Sequence, residues 1–495
     1  MSSRALIVLA AFAAASVSVA SHRARAQTLD PPAVQLAMTP AQVAAFLDAV
    51  ERGLPYVPFE VVVKFKDGVS RGDQQKALMA LRSRPDVDDI RWRGPVGIVS
   101  DLGQPDAAAL ASQLRLQPEV AYAEPNYLYS THFLPNDPNY ASRQWNFPAL
   151  DMQRAWDINA GGSGVTVAVI DTGLTTTSQA QTFKTWNGTA IVNTTVPVAV
   201  SPDLSSSRIV SPFDYVLSNS STVLDFGGHG THTASTIGEE TNNNLNLAGI
   251  AYNAKIMPIK VLACYWDRQF LKSAAGIPGY ETPFSSTCSG SNANIGLAVR
   301  YAADNGAKVI NLSLGGTSPS TTLQDAMTYA VGRGTFLAIS AGNAYDSGNP
   351  TSYPAKYSET IDGAMTVASV GRTLKHAYYS NSGSYVEIAA PGGDTVAGGS
   401  AGGIYQLTIA PDDSDPTAVI FPRFDRYTEQ SYQGTSMAAP HVAGIAALIY
   451  SQLRSGATPA LVEQIIRNTA RACDPTSDRK STRLNSSHVS ESRMP

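Results

Sequence analysis

The sequence predicts a layered α/β fold on a mostly parallel sheet, preceded by a small α+β unit. Three observations carry that prediction. Apolar runs such as "GVTVAVID", "KVINLSLGG" and "GTFLAISAGN" alternate with helical stretches. Strands that are apolar on both sides belong to a parallel sheet covered on both faces. Residues 59–130 follow a different rhythm, in the order βαββαβ. Finally, 495 residues at 43% hydrophobic and 15% charged leave room for two or three domains with a well-buried core.

Arg4 precedes the apolar run "ALIVLAAFAAASVSVA" and small residues, the pattern of a secretory signal peptide over 1–26, cleaved after Ala20 or Ala26. The run is short for a membrane span and no later stretch is long enough for one. A secreted or periplasmic protein is therefore expected, with no membrane partner after signal cleavage and with disulfides permitted. Residues 27–58 hold a helix and linker, with Thr39 as N-cap, Pro40 in the first turn and Gly53 past the end. In 59–130, "FEVVVKFKDG" reads as a strand and "DQQKALMALRSR" as a helix. "DDIRWRGPVGIVSDL" reads as a strand or hairpin, "DAAALASQLRLQ" as a helix and "VAYAEPNYLYS" as the closing strand. A Pro/Asn-rich connector leads into the α/β part, 131–477, where 264–294 and 394–430 break the rhythm as surface insertions. Net charge is −4, which gives no basis for a nucleic-acid partner.

Three polar residues stand where apolar elements end or begin. Asp171 closes the strand in "VTVAVIDTG", His229 enters a helix in "FGGHGTHTAS", and Ser436 starts a long apolar helix in "YQGTSMAAPHVAGIAALIY". Singly each has an ordinary explanation as turn residue, loop residue or N-cap. Together they supply an acid, a base and a nucleophile, and open α/β sheets gather sites at the carboxyl ends of their strands. A serine hydroxyl needs a neutral imidazole to take its proton, and a buried carboxylate fixes the tautomer and stabilises the imidazolium. Asn343, ending the strand in "AISAGN", is placed to offer its amide to a developing oxyanion. His229 and His232 lie three apart, but without an H-E-x-x-H pattern they do not point to zinc.

"VIDTG", "HGTH", "SAGN" and "GTSMAAPHVAG", in that order, resemble the subtilases, the subtilisin-like serine endopeptidases, from about Asn136 to Cys473. The resemblance implies the subtilisin-like three-layer sandwich. It implies Asp171 orienting His229, His229 as general base and acid, Ser436 as nucleophile, and Asn343 with the Ser436 N–H as the oxyanion hole. "SLGG" resembles the segment that pairs with substrate backbone, so Ser313, Leu314 and Gly315 would bind protein or peptide substrates, with Gly315 and Gly342 keeping the pocket wall open. His441 matches a structural position. Residues 59–130 resemble the family's inhibitory propeptide, the chain's own intramolecular inhibitor, cut off within 129–134; a parallel sheet relies on non-local contacts and folds slowly, so a template helps. A monomer is expected. "ETNNNLNLAG" resembles the calcium loop of many subtilases, and the ligands carried over are the side chains of Asp137, Asp203 and Asn243 with the carbonyls of Glu240, Leu245 and Leu247.

The chain departs from the compact members in places. The residues "TTTSQAQTFKTWNGTAIVNTTVPVAV" between Asp171 and His229 read as a rim loop, and 394–430 as a hairpin beside the cleft. Cys264 and Cys288 read as a disulfide stapling the 264–294 insertion, which in the entropic model stabilises by roughly 3 kcal/mol. A sedolisin-type relative would carry Glu in place of His229. A second reading of function is a catalytically incompetent or non-enzymatic binding protein on the same fold. Read back through the genetic code, "DRKSTRLNSSH" and "SRMP" in 478–495 resemble a sequencing-library adapter in one frame. The natural sequence is then expected to run out near Ser477, with any partner of Cys473 beyond it.

Overall fold

The computed structural model describes residues 38–52, 54–129, 133–219, 222–281, 287–410 and 423–471, with the backbone of 483–484. The expected signal peptide, residues 130–132 of the expected processing segment, Cys473 and nearly all of 478–495 lie outside the described residues. The chain divides into two units, 1–129 and 130–495.

The first unit opens with the helix Pro40–Glu51. Thr39 and Gln42 cap it reciprocally, each side chain taking the other's backbone N–H. Four strands follow: β1 (Tyr56–Phe65), β2 (Arg91–Arg93), β3 (Val96–Ser100) and β4 (Val120–Tyr127), in the antiparallel order β2-β3-β1-β4. Helices Arg71–Leu78 and Ala107–Arg115 fall where the βαββαβ reading puts them. Val61, Val63, Leu78, Leu110 and Leu114 form the core. Glu60, buried in this sheet, is held by Arg91 and Asn126.

The second unit is built on β5 (Thr166–Asp171), β8 (Phe213–Asp214), β9 (Lys255–Lys260), β10 (Val309–Leu312), β11 (Phe336–Ser340), β12 (Ala364–Val370) and β13 (Ile388–Pro391). They run in the order β13-β12-β11-β10-β5-β9-β8 with every pair parallel, and a two-residue strand, β16 (Arg483–Leu484), adds beside β13. One face packs under the Ser436 helix (Thr435–Leu453), which is buried throughout Met437–Tyr450. Helices Asn292–Asp304 and Thr321–Gly332 cover the other face. That is a three-layer sandwich. The order reverses about β5: the chain passes from β5 to β9 on one side and returns to β10 on the other. A crevice forms outside the strand ends at such a switch point. Asp171 ends β5 there, and Ser313 follows β10.

Three segments read as loops or surface insertions belong to the packed structure. Residues 175–200 hold an antiparallel hairpin, β6 (Gln181–Trp186) with β7 (Ile191–Val196), around Asn187-Gly188. Asn-Gly between two β-prone runs is a hairpin signal that the rim-loop reading passed over. The 264–294 segment contains a helix, Tyr265–Ala274, whose Phe270 stacks on Phe183 at 4.3 Å between centroids. The 394–430 segment supplies β14 (Ile404–Ile409), which pairs with β15 (Tyr427–Tyr432) as an antiparallel hairpin; Ile404, Leu407 and Ile409 are buried. Phe226, Phe270, Ile409 and Phe424 join in one small core, so these are structural insertions, not surface ones.

Candidate active site

Asp171 is fully buried, and its Oδ1 accepts from His229 Nδ1 at 2.7 Å and from the Thr172 N–H at 2.7 Å. His229 is the first residue of the helix His229–Gly238, and its imidazole keeps about 30% of its surface open. The helix approaches β5 so closely that a Cβ at Gly230 would lie 2.2 Å from the Gly173 carbonyl, which only glycine avoids. Burial penalises the imidazolium. The Asp171 charge, its hydrogen bond and the Asp225 charge outweigh that penalty and raise the His229 pKa above its ordinary value.

Ser436 sits in the first turn of its helix, where backbone N–H groups have no partner within the helix. Its hydroxyl donates to the Ser313 carbonyl at 3.2 Å, while the Ser313 hydroxyl donates to the Ser436 carbonyl at 2.7 Å. The Ser436 hydroxyl is thus hydrogen-bonded to Ser313 and not to His229; hydrogen bonds of a catalytic serine commonly tighten only when substrate binds. Asn343 Oδ1 accepts from the Thr435 N–H at 2.8 Å and the Thr435 hydroxyl at 2.9 Å, which fixes the amide with Nδ2 the other way. A point one Cβ bond from Gly434 lies 3.3 Å from that Nδ2 and 3.6 Å from the Ser436 nitrogen, so the two donors converge.

A cleft of about 570 Å³ is lined by His229, Cys288, Gly290, Ser313, Leu314 and Gly315, among others. A second of about 220 Å³, bounded by Gly342, Asn343, Ser352, Asn381 and Ser436, adjoins it through Leu314–Thr317. Gly316 spends both backbone groups on Tyr353, at 2.8 Å each. A Cβ at Gly315 would stand 2.9 Å from Ser352 Oγ, inside the wall. Cys264 and Cys288 are joined by a disulfide. His232 is buried, its Nε2 donates to the Ile404 carbonyl at 3.1 Å and its ring stacks on Tyr432; burial first, then the neighbouring His229, pushes its pKa down to about 3. His441 is spent on Asn146 and the Met437 carbonyl.

The residues read as a calcium site are drawn together in part. The Asp137 carboxylate accepts from the Asn242 N–H at 2.8 Å and the Asn243 N–H at 3.4 Å. Asp203 accepts from the side-chain amides of Asn243 at 2.6 Å and Asn246 at 3.1 Å. Burial pushes Asp203 up to about 6, a cost that a cation would offset. Among the described residues no group of three His, Cys, Asp or Glu forms a metal cage, so a cation here would depend on amide and backbone oxygens. That donor set suits Ca²⁺.

Comparison with known proteins decides the family. The subtilase family model matches residues 162–491. The chain belongs to the subtilases. A fervidolysin N-terminal prodomain model matches residues 44–126 of this subtilase. A thermophilic serine proteinase of Bacillus sp. strain AK1 is 33% identical over 416 residues, 84% of this chain and 82% of the relative. Thermitase of Thermoactinomyces vulgaris is 33% identical over 339 residues, 68% of this chain and 92% of the relative. An extracellular protease of Xanthomonas campestris is 33% identical over 401 residues, 77% of this chain and 60% of the relative. A solved protease structure from Pseudoalteromonas arctica superposes with TM-score 0.51 at 30% identity, covering 71% of this chain and 97% of that one. The subtilase is a serine endopeptidase with a prodomain, acting on protein substrates. Many members of its family bind calcium. None of its described helices is long and apolar enough to cross a membrane.

Sequence reasoning missed the residues that hold the dyad and the amide in place. Asp225, Thr172 and Thr435 are buried hydrogen-bonding hubs. An acidic residue just ahead of a Gly-Gly helix entry was a legible signal for Asp225; nothing local marks Thr435 as the partner of Asn343.

Proposed function

We propose that this subtilase is an exported, self-processing endopeptidase that works through Asp171, His229 and Ser436. The supporting observation is the 2.7 Å hydrogen bond from His229 to a fully buried Asp171, in a cleft that adjoins, at Leu314–Thr317, the recess bounded by Ser436 at the start of its buried helix. His229, neutral, takes the Ser436 proton as the hydroxyl attacks the scissile carbonyl. Asp171 keeps the imidazole in the tautomer with its proton on Nδ1 and stabilises the imidazolium. The tetrahedral oxyanion accepts from Asn343 Nδ2 and the Ser436 N–H, which stand ready before the charge appears. The imidazolium then protonates the leaving amine, and water, deprotonated by the same histidine, hydrolyses the acyl-enzyme.

Substrate backbone pairs along Ser313–Gly315, beside the Gly316–Tyr353 bridge, and Gly342 leaves room for a side chain in the 220 Å³ recess. The propeptide is released by cleavage within 129–134. Asp137, Asp203, Asn243 and the carbonyls of Glu240, Leu245 and Leu247 would hold a calcium ion, whose positive charge would tie the loop after the His229 helix to the connector before the catalytic unit. The extracellular Xanthomonas relative and the signal-type N-terminus support export.

The experiment is labelling with a fluorophosphonate probe together with the processing state of the purified chain. Wild type should label and shed its propeptide; Ser436→Ala should do neither. A Ser436→Ala chain that processes normally without any other protease would overturn self-cleavage.

A further inference from the structure

Asp225 lies in "LDFGGHGTH", four residues ahead of His229, and is fully buried. Its Oδ1 accepts from the N–H groups of Gly227 and Gly228 and from the Thr172 hydroxyl, each at 2.9 Å. Its Oδ2 accepts from the Thr231 N–H at 3.0 Å and the Thr231 hydroxyl at 2.6 Å. A neutral Ser or Asn suffices to cap a helix. A buried ionised carboxylate costs several kcal/mol unless its oxygens are fully used, as these are.

Two features tie this cluster to the dyad rather than to the turn alone. Thr172 follows Asp171, and its hydroxyl both donates to Asp225 and accepts from the Gly230 N–H at 2.8 Å. One hydroxyl thus locks the residue after the acid to the residue after the base, with Asp225 as anchor. From the other side, Lys260, fully buried, donates to the carbonyls of Thr172 and Leu224, at 2.8 Å each, and pairs with Asp267 at 2.9 Å.

We propose that Asp225 is a positioning residue for the catalytic base: buried among five donors, its carboxylate fixes His229 against Asp171 and gives the imidazolium a second negative charge. This rests on His229 being the base. The charged and titratable groups around the pair are Asp171 on β5, His232 on the same helix, Lys260 with its partners Asp267 and Asp214, and Tyr427 and Tyr432 on β15. His232 stays neutral in the working range because its pKa is held low. The two tyrosines stay neutral because burial, aided by the Asp225 charge, pushes theirs up. Asp171 and Asp225 remain as the anions that favour the imidazolium, in agreement with the raised His229 pKa.

The test is Asp225→Asn, the same shape without the charge, in the processed enzyme, with active sites counted by fluorophosphonate titration. The expected result is a kcat lower by about tenfold or more, KM for a short peptide within about twofold, and an acid limb of kcat/KM displaced to lower pH. Asp225→Glu should return the acid limb toward wild type even where kcat stays low, which a purely structural role would not do. A kcat within twofold of wild type and an unmoved acid limb in Asp225→Asn overturn the proposal. If Asp225→Asn lacks a cooperative thermal transition, Thr172→Val carries the test: it keeps the charge and removes the lock, so kcat should fall with the acid limb unmoved, and an unchanged kcat overturns the proposal. His229→Ala separates the two levels, since labelling at the wild-type rate there would defeat the assignment of the base itself.

Discussion

The His229 helix and the Ser436 helix begin alike and are finished differently. Each follows a glycine with positive φ, Gly228 at 75° and Gly434 at 152°, and neither glycine has a side chain to cap its helix. The His229 helix is capped by a carboxylate a few residues upstream, Asp225. The Ser436 helix is capped by a neutral amide 92 residues away in sequence, Asn343. The charge that each site must carry explains the choice. In the proposed mechanism a proton arrives on His229, so an anion beside it helps. Negative charge develops on the substrate oxygen beside Ser436, so the positive end of that helix must be left for the oxyanion. A carboxylate there would repel it.

Exchanging the character of the caps gives the largest expected effect. Asn343→Ala should lower kcat by about 10²–10³, a magnitude known from subtilisin, and Asn343→Asp should lower it further. KM should change little in both, and an Asn343→Asp enzyme as active as Asn343→Ala would break the electrostatic side of the comparison. The pH profile comes next. As the proposed base, His229 must be neutral to take the Ser436 proton, so activity should rise with pH through its pKa. Because that pKa is raised, the acid limb should lie above the ordinary histidine value of about 6.5. A limb below that value would mean that burial, and not the two carboxylates, dominates.

Smaller effects come from the two flanks of the His229 helix. The loop carrying Asn243 leaves its C-terminal end, so chelation should lower the unfolding midpoint by a few degrees, equivalent to about 2.7 kcal/mol at a calcium concentration 100 times Kd. An unchanged midpoint would remove calcium from this loop. At the start of the helix, a Cβ at Gly227 would lie 2.4 Å from Cys264 Sγ, so the Cys264–Cys288 bridge buttresses the Asp225 turn. Replacing both cysteines with serine should cost about 2–4 kcal/mol in chemical unfolding. It should also broaden the tolerance of the Cys288-lined cleft while leaving the Asn343 side of the site untouched, which peptide substrates of graded size would report.

Much of this was legible in the residues. The apolar strands, the βαββαβ unit and the entries to the Asp171, His229 and Ser436 elements are local patterns, and local patterns survive in a one-dimensional string. The inserted hairpins were only half legible. "QTFKTW" and "IVNTTV" flank an Asn-Gly turn and could have been read as paired strands, but nothing in them says that Phe183 meets Phe270. The 404–432 hairpin read as surface because its polar residues Gln406 and Thr408 are buried and donate to distant groups, the Ala248 and Gly228 carbonyls.

The sequence alone determined the family and the layered fold and singled out the residues proposed to carry the chemistry, because a strand end, a helix start and a reactive side chain are each written within about ten consecutive residues. Only the tertiary structure decided how those residues are held. The caps of the two helices, the Thr172 lock and the Lys260 clamp depend on which strand ends lie side by side about the reversal at β5, where Lys260 ends β9 next to Asp171 and Asn343 follows β11. That adjacency comes from the order in which parallel strands pair, and parallel pairing joins segments far apart in the chain.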